Sequence, residues 1–115
     1  MLHQLEDWGT ATAVLRGDLD ITTVPEARRS VQAAEADADR LIVDLRSVGF
    51  LDSAGVNLVF DIALRARRRG SRITLLASDP QVRRVLRMTF IDEVADVEPP
   101  LGPAEDRDGP TVLPL

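Results

Sequence analysis

The chain has 115 residues, with fourteen basic residues (all arginine) against nineteen acidic ones, a net charge of -5, and no cysteine. That length supports one domain with a core of its own, and the acidic balance excludes nucleic-acid backbone binding, which needs a basic surface. The missing cysteines exclude disulfides and thiolate metal sites, and an aromatic content of 3% leaves Val, Leu, Ile and Ala to build the core.

Residues 2–6 and 11–16 (Ala-Thr-Ala-Val-Leu-Arg) read as strands. Gly17-Asp18-Leu19-Asp20 follows as a turn-like acidic connection. Thr23-Val24-Pro25-Glu26 has the form of a capping box, a hydroxyl with a carboxylate three places on, and predicts a helix to about residue 37. Its apolar stripe is Val24, Ala27, Val31, Ala34 and Ala38, at three- and four-residue spacing. Leu41–Leu45 is nearly continuously apolar, the pattern of a strand covered on both faces. A short loop then leads to a second helix over 53–69, with Val56, Val59, Phe60 and Ala63 on one face and Gly70 as its stop. Arg65, Arg67, Arg68 and Arg69 crowd the end of that helix, where cations complement the dipole.

Residues 73–77 form the next strand, and Ser78-Asp79-Pro80-Gln81 repeats the capping signature before a third helix carrying Val82, Val85 and Leu86. A final strand falls near 94–97. Two strands followed by alternating helices and strands predict an α/β domain, a mixed, largely parallel sheet with helices packed against it. The domain spans 1–98. From Pro99 onward five of seventeen residues are proline, which predicts a disordered tail or linker over 99–115. No signal-peptide pattern opens the sequence, and no apolar run approaches the ~20 residues that span a bilayer. A cytoplasmic protein without direct membrane insertion is expected.

Ser53 is the residue of interest. It stands where a strand-like run ends and a helix starts, a place where backbone N–H groups are unpaired and negative charge is tolerated. No histidine or lysine lies near it in sequence to activate the hydroxyl, so it is better placed to receive a phosphate than to attack a substrate. It could equally be a plain helix cap. His3, the sole histidine, has no ligand set around it, so no metal, cofactor or catalytic site is expected. Trp8 is expected to cover the sheet edge.

Three segments together, Gly17-Asp18-Leu19-Asp20, Asp44-Leu45 and Val48-x-Phe50-Leu51-Asp52-Ser53-x-Gly55, resemble the STAS domain family of anti-sigma-factor antagonists. The likeness runs over residues 10 to 95 and includes the Arg69-Gly70 helix stop. It implies a non-enzymatic binding module in which Ser53 is phosphorylated by a partner that is both anti-sigma factor and serine protein kinase. Binding that partner frees a sigma factor, and a separate serine phosphatase resets the switch. The alternative within the same family is a non-phosphorylated subunit of a stress-signalling assembly or of a membrane transporter.

The resemblance places the acidic turn, Asp18 and Asp20, near Asp52 and Ser53. Family members often carry a second hydroxyl at the next position; Ala54 leaves only one here. Two departures stand out: Asn57 where glycine is frequent, and Thr89-Phe90 where Thr-Gly is usual. A side chain at position 90 resists the left-handed conformation, so the cap of the third helix is expected to differ. The docking face is expected along Asn57, Leu58 and Asp61. Leu58 falls opposite Val56 on the helical wheel, as either a second packing contact or an exposed apolar anchor.

Overall fold

A computed structural model describes residues 3–6 (backbone only), 9–36 and 38–102. Trp8, the side chain of His3 and residues 103–115 lie outside the described residues.

Five strands form one sheet in the order β1-β2-β3-β4-β5. They are β1 (His3–Glu6), β2 (Thr10–Leu19), β3 (Arg40–Leu51), β4 (Arg72–Leu76) and β5 (Asp96–Glu98). β1 is antiparallel to β2, and the other pairings are parallel. The crossovers are α1 (Val24–Glu35), α2 (Ser53–Arg68) and α3 (Pro80–Thr89), the last followed by a single 3-10 turn at Ile91–Glu93. The α/β class and the element order are those expected.

Side-chain alternation along the strands builds the core. Ala11, Ala13 and Leu15 of β2, Leu41, Val43 and Leu45 of β3, and Ile73 and Leu75 of β4 are buried in one layer. Ala27, Val31 and Ala34 of α1 and Leu58, Val59, Ile62, Ala63 and Ala66 of α2 are buried with them. The alanines let these helices sit close to the sheet and to each other. Each large aliphatic chain removed from water contributes roughly 1.5–3 kcal/mol.

The structure differs from the sequence reading at seven places. Gly17-Asp18-Leu19 is not a turn: β2 continues through it, paired with an equally lengthened β3 as far as Leu19 opposite Leu51. Two register shifts, each adding one residue on β3, and Gly17 at φ +77° bend this extension. The alternation is broken there, so no period-2 signal survives in the sequence.

The Thr23 capping box does not form. Thr23 Oγ1 instead accepts from Asp20 N at 3.0 Å and donates to Asp18 O at 2.7 Å, so it has no role at the helix amides. At α3 the capping side chain is Asp79, whose Oδ1 accepts from Gln81 N and Val82 N at 2.8 and 3.1 Å.

The buried face of α2 is centred on Leu58, Ile62 and Val59, while Val56 and Phe60 are half-buried at its margin. Leu58 is 0% exposed, which corrects its assignment as a partner anchor: it is core. Phe90 does adopt the left-handed conformation, φ +57° and ψ +36°, so the cap expected to change is retained by a residue with a Cβ. That geometry costs on the order of 1–2 kcal/mol, which the flanking packing must offset.

Residues 99–102 are not a free tail. Leu101 is buried, Arg83 donates to Pro99 O and Pro100 O at 2.9 Å each, and Arg87 Nε donates to Leu101 O at 3.4 Å. The ordered domain therefore extends past the boundary expected at 98.

The arginine cluster does more than complement a dipole. Glu35, 5% exposed at the end of α1, receives Arg65 Nη2 at 2.6 Å on Oε1 and has Arg69 Nη1 3.3 Å from Oε2. An acid at a helix C-terminus is opposed by the dipole, and these two cations, from the last turn and the C-cap of α2, compensate it.

Candidate functional site: the paired N-termini of α1 and α2

Parallel neighbours β2 and β3 end at the same edge of the sheet, so the loops that follow them meet. That places the start of α1 beside the start of α2. Asp52 N donates to Leu19 O at 3.1 Å, closing the two strands together. Asp52 itself is extended (φ -95°, ψ -171°) and caps α2: its Oδ1 accepts from Gly55 N at 3.0 Å. Its Oδ2 accepts from Ile21 N at 3.3 Å, across the gap to the other loop. One carboxylate thus satisfies an orphan amide of α2 and tethers the β2–α1 loop.

Ser53 is the first residue of α2 and is exposed. The cap is Asp52, so the hydroxyl is spared that duty, and it has no hydrogen-bond partner among the described residues. In the first turn, Gly55 N goes to Asp52 Oδ1 and Val56 N to Asp52 O at 2.9 Å. The amides of Ser53 and Ala54 have no acceptor among the described residues, which leaves donors beside the hydroxyl for an anion.

The loop opposite is stapled by its own side chains. Asp20 Oδ1 accepts from Thr22 N at 2.9 Å, Thr22 Oγ1 at 2.6 Å and Thr23 N at 3.2 Å. These bonds, the one from the Thr22 hydroxyl foremost, hold the Asp20 carboxyl below the usual range. Asp18 is exposed on β2, opposite Phe50 of β3.

The structure therefore brings Asp18, Asp20, Asp52 and Ser53 to one edge. Asn57 is exposed one turn further along α2. Asp61 follows on the same side and is ion-paired to Arg28 of α1. Leu58 points away from this surface into the core.

Sequence reasoning missed three apolar residues that are exposed here: Ile21 at 75%, Phe50 at 46% and Leu64 at 41%. Leu64 could have been found on the helical wheel, since at 100° per residue it falls between Ser53 and Asn57. Ile21 was visible as a lone apolar residue between Asp20 and the polar pair Thr22-Thr23. Phe50 was hidden by the register shifts. Among the described residues no three His, Cys, Asp or Glu side chains converge as a metal site, and no helix is long and apolar enough to cross a membrane.

Known proteins share this architecture. An anti-sigma factor antagonist from Mycobacterium paratuberculosis superposes with a TM-score of 0.73 at 25% identity, covering 85% of each chain. The anti-sigma factor antagonist SpoIIAA in its unphosphorylated form gives 0.64 at 26% identity, over 84% of this chain and 87% of that one. The Bacillus cell fate determinant SpoIIAA in its phosphorylated form gives 0.60 at 25% identity, over 84% and 90%. The STAS domain family matches residues 9–104, nearly the whole described structure. The chain belongs to the STAS domain family.

Proposed function

We propose that this protein is an anti-sigma-factor antagonist whose binding is switched by phosphorylation of Ser53. The observation that carries this reading is the state of Ser53: exposed, unbonded, at the first position of α2, with Asp52 rather than Ser53 serving as cap. Its similarity to antagonists, one of them in a phosphorylated form, supports the same role.

Unphosphorylated, the edge formed by Asp18, Asp20, Asp52 and Ser53 binds an anti-sigma factor that is also a serine kinase, and a sigma factor is released. The footprint continues along the exposed arc of α2 through Asn57, Asp61 and Leu64. The kinase, not this chain, binds ATP and passes its γ-phosphoryl group to the Ser53 hydroxyl in the cytoplasm, releasing ADP, and the antagonist needs no cofactor and catalyses nothing. Phosphorylation adds about -1.5 to -2 charges and several heavy atoms where the partner meets a bare hydroxyl. The helix N-terminus tolerates that charge, so the fold is kept while the interface is lost. A serine phosphatase restores it.

The test is incubation of the purified protein with ATP and each anti-sigma serine kinase encoded in the same genome, followed by site mapping. Label on Ser53 that disappears in Ser53→Ala is the expected result. Label that persists in Ser53→Ala overturns the reading.

A further inference from the structure

We infer that Ile21 is the apolar anchor of the docking surface, a knob that enters a socket on the partner rimmed by arginine or lysine. This inference rests on the function proposed above and names how the same edge holds its partner.

Ile21 is the most exposed large apolar residue among those described, at 75%, and it sits across from Asp52, one residue away from Ser53 in the chain. An isolated exposed isoleucine needs no explanation. This one is held out rigidly. The Asp20, Thr22 and Thr23 side chains hydrogen-bond within the loop, and Ile21's own amide is fixed to Asp52 Oδ2. Little loop entropy remains to be lost on binding, which is the condition under which a small apolar side chain carries much of the affinity.

Phe50, 46% exposed and two residues before Asp52, stands at the same end of the sheet, opposite Asp18 in register. Asp18 and Asp20 stand just before Ile21 in the chain, at the end of β2 and the start of its loop, so charge complementarity calls for cations on the rim of the socket. On the Ser53 side the partner must approach a hydroxyl closely.

The experiment measures affinity for the kinase that labels Ser53, by calorimetry, for the wild type, Ile21→Ala and Met88→Ala. Met88 is a control of similar exposure, 66%, on α3. Ile21→Ala keeps the backbone bond to Asp52 and the loop network. It should weaken binding about tenfold or more, with Met88→Ala within twofold of wild type. In the phosphorylation assay Ile21→Ala should raise KM while kcat stays within twofold, because docking and not chemistry is impaired. Equal affinities for wild type and Ile21→Ala overturn the inference and leave the phosphorylation reading intact. Failure of the wild type to bind any such kinase overturns both.

Discussion

The Cα of Gly55 lies so close to Leu19 that a Cβ built on it would stand 2.4 Å from the Leu19 carbonyl oxygen. The contact is backbone against backbone, between the first turn of α2 and the end of β2, and neither side can swing away. It sets how near the start of α2 comes to the β2–α1 loop, and so the spacing between Ser53 and Asp20.

Gly55→Ala should therefore destabilise the protein, although alanine is the better helix former by about 1 kcal/mol. The overlap forces α2 away from Leu19, at a net loss of about 1–3 kcal/mol. Urea unfolding followed by circular dichroism measures it. A stability equal to or above wild type would show that the helix shifts freely, and would remove the argument for a fixed spacing.

The two leucines of α2 separate core from surface. Leu58→Ala opens a cavity and should cost about 2–5 kcal/mol. Leu64→Ala should change stability by no more than about 0.5 kcal/mol. If the exposed arc of α2 is part of the footprint, Leu64→Ala weakens kinase binding by about 1 kcal/mol or more. Thermal melts and calorimetry on the two variants check both halves.

Arg65→Ala leaves the buried Glu35 carboxylate with Arg69, at 3.3 Å, as its one remaining cation among the described residues. The expected loss lies at the lower end of the roughly 3–5 kcal/mol for breaking a buried pair, because Arg69 partly compensates. Removing the carboxylate as well, in the double variant Glu35→Leu with Arg65→Ala, should recover part of that loss. A double variant no more stable than Arg65→Ala would mean that packing by the arginine stem, not charge, is what α1 and α2 share.

Acid should expose the Asp44–Arg46 contact. Arg46 donates to Asp44 from Nε at 3.0 Å and Nη2 at 2.8 Å, and these bonds hold the carboxyl below the usual range. A folded-state pKa lowered below the unfolded value of about 3.9 contributes stability that is present above that value. It is lost as pH falls through the folded value. Asp20, lowered by Thr22, has the same sign. Asp44→Asn should be less stable than wild type at neutral pH and should lose less on going from about pH 5 to pH 2. Parallel pH profiles for the two proteins would refute the assignment.

Periodicity is a local property, and where it operated the sequence was legible. Ala27, Val31 and Ala34 recur at helical spacing, and Leu41–Leu45 is apolar but for Asp44, so α1 and the buried half of β3 could be read without the fold. The position of Ser53 at a helix start was legible for the same reason: a run of apolar residues ends, and a helical pattern begins one residue after Asp52. The extension of β2 and β3 past Arg16 and Leu45 was not, because strand pairing across two register shifts satisfies backbone groups without any alternation of side chains.

The remaining features depend on what lies opposite. Thr23 lost its capping role because Asp18 O and Asp20 N compete for its hydroxyl, and a competition cannot be read from spacing. Phe90 kept a left-handed cap that its Cβ disfavours, since the cost of one residue is small beside the packing around it. Which arc of α2 is buried was set by where the sheet and α1 press on it: Leu58 went into the core and Leu64 to the surface. The sequence by itself determined the element order and the helix start at Ser53, while the nearness of Asp18 and Asp20 to it was implied only by the family resemblance and is set by the pairing of β2 with β3. Only the tertiary structure decided which apolar side chains are left facing outward, because exposure is the outcome of every other contact the chain makes.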